Sequence, residues 1–266
     1  MTAKTKKEDW FTGYLRSCGY WVGGNLVRSE HSRLVEAQET LRIFKGSKGE
    51  FHIIHVLIFN GAKIQSFDYK NYSRILREKF CIDINFSLLI WPNELVKFKV
   101  CFSDDRTMDG DTPELLEVFW HYDKSYVSNA TKLKPLNKSY TDFFHLWARN
   151  NTNGFQNDID AINNLPSQLS IVELKRPVES VETWKPYLAD KVNYRELARF
   201  SNLKEISLIN IAYNESNPGT IQVFRNLEAK ESKALVYEAS LITFSKDQSL
   251  QSLISRAVFS PRVSSR

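Results

Sequence analysis

The stretch Asn157–Pro177, NDIDAINNLPSQLSIVELKRP, decides the interpretation of this chain because it places charged side chains inside two short apolar runs. Carboxylates in the middle of a strand oppose both β propensity and burial, so something must compensate their charge. Alternate residues of a strand share a face, which predicts that Asp158 and Asp160 point one way and that Glu173 and Lys175 share a face of the next strand. If the two runs form a hairpin, these side chains converge at one end of a sheet.

Such a group of side chains suits a divalent cation. Mg²⁺ prefers hard oxygen ligands, takes one or two carboxylates and keeps several waters for a substrate phosphate, and we expect Mn²⁺ to substitute for it. Lys175 beside the carboxylates can activate an attacking water or hold the scissile phosphate. The alternative is a cross-strand set of ion pairs on an exposed sheet face. Against that alternative, LSIVEL is typical of a strand that is buried on both faces.

The arrangement resembles the PD-(D/E)XK nuclease superfamily, which carries an aspartate on one strand and (D/E)xK on the next. Asp160 or Asp158 matches the aspartate, and Glu173 to Lys175 matches the second part of the motif. The resemblance covers roughly residues 140–224 and implies a Mg²⁺-dependent phosphodiesterase acting on DNA. It implies that Asp160 binds the metal with Asp158 as helper or second choice, that Glu173 completes the metal site, and that Lys175 assists the nucleophilic water. The ELKRP form also resembles certain bacterial anti-phage nucleases, including the Shedu type.

The resemblance implies an α/β fold: a restriction-endonuclease-like core with a mixed central sheet flanked by helices. We expect this core in residues 136–266 and a strand-rich region in residues 1–135, with the boundary in the polar stretch Asp123–Tyr140. That fold has a helix and a further strand ahead of the aspartate strand, and the candidates are a helix at Tyr140–Asn150 and a strand at Leu115–Tyr122. Other predicted strands are Phe51–Phe59, Phe86–Trp91, Val96–Phe102, Phe155–Ile162, Leu169–Leu174, Ile206–Tyr213 and Thr220–Phe224. Other predicted helices are Tyr69–Phe80, Trp184–Phe200 and a segment within Ser249–Val258.

Composition bounds the class of protein. The chain has 266 residues and a formal net charge of +5, which permits a local patch for nucleic acid. Its three cysteines are far apart and form no CxxC pair, so we expect a reducing compartment and neither a disulfide framework nor a zinc site. No apolar run approaches the length of a membrane helix. We therefore expect a cytoplasmic protein without a membrane partner.

The function expected from the sequence is a Mg²⁺-dependent DNA endonuclease, most economically in restriction or anti-phage defence. Cleavage of two strands requires two active sites, which predicts a homodimer, and the N-terminal region would supply target recognition or the dimer contact. A nuclease of DNA repair or recombination, such as a junction resolvase, uses the same chemistry. A catalytically inactive nucleic-acid-binding module with a nuclease fold is an alternative from a different class, and RNA is open as a substrate because a fold does not fix its function.

Overall fold

The computed structural model describes residues 9–23, 37–46, 48–59, 69–80, 83–91, 97–104, 106–110, 114–115, 117–119, 148, 156–165, 168–229, 234–244 and 248–264. The chain forms two compact units. The split unit comprises Met1–Val22 and Ile159–Arg266, and the inserted unit comprises Gly23–Asp158. These bounds differ from the division at residue 135 expected from the sequence, because the first 22 residues group with the C-terminal part. The roles predicted for the two halves stay predictions.

The described elements make a mixed α/β protein with two mixed sheets. In chain order they are α1 (Trp10–Ser17), β1 (Trp21–Val22), β2 (Ala37–Lys45), β3 (Phe51–Phe59), α2 (Tyr69–Phe80), β4 (Phe86–Trp91), β5 (Lys97–Phe102), β6 (Thr107–Gly110), β7 (Gln156–Ile159), β8 (Ala161–Leu165), β9 (Gln168–Lys175), a 3₁₀ turn (Leu188–Asp190), α3 (Lys191–Leu203), β10 (Ser207–Tyr213), β11 (Thr220–Ala229), β12 (Leu235–Thr243), α4 (Leu250–Arg256) and β13 (Ser260–Ser264). No helix in this described part of the chain is long and apolar enough to cross a membrane.

The sheet of the split unit has the strand order β1-β8-β9-β10-β11-β12-β13. Strands β1, β8 and β9 pair antiparallel in turn, whereas β9 pairs parallel with β10 after the chain has passed through α3. A parallel pair needs a crossover connection of this kind, usually a helix. Strands β10 to β13 then continue antiparallel. In the split unit, helix α1 is followed by the strands β1, β8 and β9, then by helix α3 and strand β10. The inserted unit lies between β1 and β8 in the sequence.

Both faces of this sheet are covered by apolar side chains. Because alternate residues of β10 point to opposite faces, Ile211 packs with α1 and α4 while Ala212 packs with Tyr194 of α3. Phe11 of α1 is fully buried, and burying an aromatic side chain of this size stabilises the fold by roughly 2–3 kcal/mol. A strand covered on both faces explains the near-continuous apolar run in this part of the sequence.

Local signals fix the ends of α1. The side chain of Asp9 accepts a hydrogen bond from the backbone N–H of Thr12 at 2.8 Å and so caps the helix N-terminus. Beyond the helix, Gly19 adopts a φ of +85°, a left-handed conformation that glycine tolerates, and the chain turns into β1.

The inserted unit has a six-stranded sheet of order β6-β5-β4-β3-β2-β7. Strands β2 and β3 form an antiparallel pair, β3 pairs parallel with β4, and β5 and β6 follow antiparallel. One core of this unit packs even-numbered residues of β3 and β4, such as Val56 and Leu88, against Leu115, Val118 and Phe119.

Several predicted elements are confirmed. The bounds of α2, β3 and β4 are those predicted, and β5, β9, β10, β11 and α4 differ from their predictions only at their ends. The predicted strand at Leu115–Tyr122 is wrong, since Leu115, Val118 and Phe119 are helical. A short apolar run without clear alternation is ambiguous between helix and strand, and here the buried face is helical. The predicted helix at Tyr140–Asn150 lies outside the described residues except for Ala148, which is helical.

The predicted strand Phe155–Ile162 is also wrong as one element. The chain forms β7, leaves strand geometry at Asp160 and then forms β8, and these two strands belong to different sheets. Asp158 and Asp160 therefore do not share a strand, because the boundary between the two units falls between them.

Candidate active site around Glu173 and Lys175

The hairpin of β8 and β9 places Asp160 at the C-terminal end of β9. The antiparallel ladder begins at the pair Ala161 and Val172, so the residues beyond that pair have no ladder partner in β8. In place of a ladder partner in β8, the Asp160 Oδ2 atom accepts a hydrogen bond from the Leu174 N–H at 2.7 Å. Its carboxylate thus lies beside the peptide bond that joins Glu173 to Leu174.

Glu173 and Lys175 lie on the α3 face of β9, as predicted from the alternation. The Lys175 Nζ atom is 3.1 Å from Glu173 Oε1 and 3.5 Å from Asp190 Oδ2. The same ammonium lies 5.6 Å from the centre of the Tyr194 ring, where a cation–π attraction adds to the ion pairs. The Glu173 side chain is only 9% exposed and that of Lys175 21%, so these charges interact where solvent screens them weakly.

The surroundings of Lys175 keep it positively charged. Burial alone would lower the pKa of this lysine, but the Glu173 carboxylate, the Tyr194 side chain and the Asp190 carboxylate together outweigh burial and raise the pKa above its ordinary value. Burial likewise raises the pKa of Tyr194, so its hydroxyl stays protonated at neutral pH. Lys175 is therefore an ammonium donor and cannot act as a proton-accepting base in this state.

Asn210 is a further polar residue on the same face. It is the register partner of Glu173 in the parallel pair of β9 and β10, so the two side chains point to the same side of the sheet. Asn210 is 4% exposed, and its Oδ1 atom is buried without a hydrogen-bond partner among the described residues. An unpaired buried acceptor of this kind is costly and calls for an explanation, such as a bound ion or water.

Asp158 has a different environment in the inserted unit. Its Oδ1 atom lies 3.1 Å from Nε of Arg42, whose side chain is 1% exposed while that of Asp158 is 31% exposed. The carboxylate therefore compensates a buried guanidinium. Of the four residues predicted for the site, the structure brings together Asp160, Glu173 and Lys175 at one end of β9, and it gives Asp158 an ion-pair partner in β2.

A second charged group lies just beyond Lys175. Asp9 Oδ2 accepts a hydrogen bond from the Tyr213 hydroxyl at 2.8 Å and forms an ion pair with Arg176 Nη1 at 3.2 Å. Burial would raise the pKa of Asp9, but hydrogen bonds from Thr12 and Tyr213 and the charge of Arg176 lower it below its ordinary value of 3.8. Burial raises the pKa of Tyr213, and the charge of Asp160 adds to this effect. The N-cap of α1 is thus tied to the strand end that carries the motif.

Two arginines of α3 are engaged with an acid of the same helix. Arg195 and Arg199 of α3 both pair with the buried Glu196, at 3.2 Å and 3.7 Å, while their own side chains are more than half exposed. Exposed ion pairs of this type add little stability, so the guanidinium groups stay accessible to another anion.

The sequence interpretation missed Asp9, Asp190 and Asn210. For Asp190, the place directly before α3 and after the motif was a usable signal. Asn210 stands within an apolar strand, SLINIAY, where an amide needs a buried partner. Asp9 carried no sequence signal linking it to a strand end more than 160 residues away.

The acidic ligands available for a metal are few. Within the part of the chain that the structure describes, no group of three His, Cys, Asp or Glu side chains is close enough to hold a metal ion. Glu173 is in register with Asn210, whose oxygen has no hydrogen-bond partner among the described residues, and the Asp160 carboxylate lies on the other side of β9; two carboxylates are within the number that Mg²⁺ takes when waters fill its other positions. The donor set therefore fits a small hard cation and does not fit a metal that needs a full cage of protein ligands.

No protein-family model matches the chain, and no curated protein matches it either.

Proposed function

We propose that the protein is a Mg²⁺-dependent endonuclease that hydrolyses phosphodiester bonds in DNA. The observation that carries the proposal is the hydrogen bond from the Leu174 N–H to Asp160, which brings this carboxylate to the strand that bears Glu173 and Lys175. The PD-(D/E)XK resemblance implies an aspartate on one strand and a Glu-x-Lys on the next, and here Asp160 directly precedes β8 while the Glu-x-Lys lies on β9.

The strand order of the split unit supports the same proposal. The resemblance implies a helix and a strand ahead of the aspartate strand, then the Glu-x-Lys strand, a helix and a further strand. In the split unit α1 and β1 precede β8 and β9, and α3 leads to β10, which is parallel to β9. The helix and strand that the sequence assigned to residues 140–150 and 115–122 thus have candidates in α1 and β1.

Asp160 and Glu173 would hold the metal ion in this proposal. A bound Mg²⁺ supplies positive charge to a phosphate and lowers the pKa of a coordinated water. The two carboxylates supply hard oxygen ligands, and the partial burial of Glu173 limits competition from bulk water. Asp158 would act through Arg42 on the stability of the inserted unit instead of on the cation.

Lys175 would act as a fixed positive group. Its raised pKa keeps the ammonium charged, so it can hold a phosphate oxygen or stabilise a hydroxide. Asp190 and Tyr194 restrict where this ammonium lies. A preorganised charge aimed at the site of developing negative charge is the most effective type of electrostatic catalysis.

The substrate, the oligomeric state and the biological role are proposed from this chemistry. The substrate is DNA, cleavage of both strands requires a homodimer, and restriction or anti-phage defence is the proposed biological role. The inserted unit is proposed to recognise the target or to form the dimer contact.

A catalytically inactive DNA-binding module is the second candidate. Lys175 already pairs with both Glu173 and Asp190, and the described residues hold no group of three acidic or metal-binding side chains. Such ion pairs are expected if the residues of a former nuclease site now bind one another instead of a metal ion.

A cleavage assay separates the two candidates. Plasmid and linear DNA are incubated with the full chain in Mg²⁺, in Mn²⁺ and in EDTA, beside Lys175→Ala and the control Lys204→Ala, an exposed lysine at the end of α3. We expect metal-dependent cleavage by the wild type and the control, and a loss of about a hundred- to a thousandfold in Lys175→Ala.

DNA binding measured by fluorescence anisotropy in Ca²⁺, with a thermal melt of each variant, controls for loss of fold. Wild-type turnover by a folded Lys175→Ala protein contradicts the role of Lys175. Binding without cleavage in any metal, by the wild type, favours the inactive module.

A further inference from the structure

Asn210 is a buried polar residue next to Glu173 that the proposed chemistry leaves unexplained. Its Oδ1 atom has no hydrogen-bond partner among the described residues, although the side chain is almost wholly buried. Leaving a buried acceptor unpaired is costly, so strand β10 would be more stable with an apolar residue at this position. Other buried positions of the strand are apolar, as Ile209, Ile211 and Ala212 show.

The position of Asn210 is next to the proposed cation ligand. The parallel register pairs it with Glu173, and neighbouring Cα partners in a sheet lie about 4.8 Å apart with their side chains on one face. Asp160 flanks the other side of β9, where its carboxylate accepts from the Leu174 N–H. Glu173 is therefore bordered by a carboxylate on one side and an amide oxygen on the other.

We propose that Asn210 supplies the third oxygen of the cation site, as an acceptor for the ion or for one of its bound waters. The inference rests on the proposed function, because the cation is the one that Asp160 and Glu173 would hold. A neutral amide oxygen is a hard ligand that adds no repulsion to two carboxylates, and a bound hydrated cation would give the unpaired Oδ1 atom its missing partner.

Two substitutions at Asn210 give opposite expected results. Asn210→Leu has a similar volume and removes the oxygen, so we expect Mn²⁺ affinity to fall by about tenfold, the size of effect seen for groups that support metal ligands. Asn210→Asp keeps the oxygen and adds a charge, so we expect Mn²⁺ to bind more tightly than in the wild type. The matched controls are Asn163→Leu and Asn163→Asp, since Asn163 is a buried amide of β8 in the same sheet, paired with Ser170 of β9 and not with Glu173.

The measurement is calorimetric titration of Mn²⁺ into the full chain, with a thermal melt of each variant without metal. Weaker binding in Asn210→Leu, tighter binding in Asn210→Asp and no change in the Asn163 variants support the inference. Unchanged affinity in both Asn210 variants overturns it while leaving the proposed function intact. Weaker Mn²⁺ binding in Asn210→Asp also overturns the inference. That result would mean that the Asn210 amide donates a hydrogen bond to Glu173 in the wild type, and that the new carboxylate repels Glu173 instead. Absence of Mn²⁺ binding in the wild type overturns both the inference and the proposed metal dependence.

Discussion

Replacing Asp158 by alanine should destabilise the inserted unit and leave cation binding in place. Asp158 lies 3.1 Å from a guanidinium nitrogen of Arg42, and the Arg42 side chain is 1% exposed. Removing one partner of a buried ion pair typically costs about 3–5 kcal/mol because the remaining charge stays buried. The Asp158 side chain is 31% exposed, so solvent already screens part of the interaction. We therefore expect a smaller loss of stability, about 2–3 kcal/mol.

The matched variant is Asp160→Ala, which removes a hydrogen bond to the Leu174 N–H and the proposed metal ligand. The lost hydrogen bond should cost only about 1–2 kcal/mol. Each variant is followed by thermal unfolding without metal and by calorimetric titration of Mn²⁺. For Asp158→Ala we expect a fall of roughly 6–12 °C in the melting temperature of the inserted unit, with Mn²⁺ binding retained. For Asp160→Ala we expect a smaller fall, with Mn²⁺ binding and metal-dependent cleavage lost.

A rescue experiment tests the cause of the instability. Replacing a buried ion pair by apolar residues is often neutral, so adding Arg42→Met to Asp158→Ala should recover most of the lost stability. The reasoning is refuted if Asp158→Ala melts with the wild type while its Mn²⁺ binding disappears, since Asp158 would then be the metal ligand. Equal loss of Mn²⁺ binding in both aspartate variants would point to two ions, each held by one aspartate.

Two more predictions concern buried polar groups. At pH 7, Asp9→Asn should lower the free energy of unfolding by about 1 kcal/mol, because it weakens the ion pair with Arg176 and the hydrogen bond from Tyr213. The folded-state pKa of Asp9 is lowered from 3.8, so this stability is present above pH 4 and is lost as the pH falls further; a gap between wild type and variant in urea unfolding that widens at pH 3 contradicts the assignment. In the inserted unit, Glu39→Ala removes the acceptor 2.8 Å from Nε2 of the fully buried His55 and should cost about 2 kcal/mol in urea unfolding. Glu39→Gln, which keeps an acceptor oxygen, should lose less, and equal losses in the two variants would show that the negative charge of Glu39 is needed and not only an acceptor oxygen.

The sequence was sufficient for the Glu-x-Lys strand but not for the aspartate that faces it. Alternation within LSIVELK places Glu173 and Lys175 on one face, and the structure agrees. The same alternation put Asp158 and Asp160 together, and this was wrong because the chain changes sheet at Asp160. Periodicity describes a strand locally and contains no information about which sheet accepts it. A two-residue strand such as β1, whose partner β8 is about 140 residues away, gives no periodic signal at all.

The positions of the helices also depend partly on the local sequence and partly on packing against residues that are distant in the sequence. The bounds of α2 follow from its own pattern of apolar residues and are as predicted. The predicted helix Trp184–Phe200 starts too early, since α3 begins at Lys191. Pro186 accounts for the difference, because proline disfavours the helical conformation in the residue before it and lacks a donor within a helix. That part of the error was readable from the sequence, whereas the helical state of Leu115, Val118 and Phe119 depends on packing against β3 and β4.

The two units share one order of elements. A difference between their facing polar residues supports the position proposed for the site. In each, an antiparallel strand pair is followed by a helix and by a strand parallel to the second member of the pair. Each central parallel pair also carries facing polar residues: His55 with Ser87 in the inserted unit, and Glu173 with Asn210 in the split unit.

His55 and Ser87 of the inserted unit belong to one buried hydrogen-bonded group. His55 lies 2.8 Å from Glu39 and 3.4 Å from the Ser87 hydroxyl, and all three side chains are buried. In the split unit the Asn210 oxygen has no such bond within the described residues. A buried polar network is stable when its members satisfy one another, and one with an unpaired acceptor is stable only with a further partner. Since the same strand arrangement can hold a self-satisfied network, an acceptor beside Glu173 without a partner among the described residues is not a necessity of the fold, and the proposed cation would give this acceptor a partner.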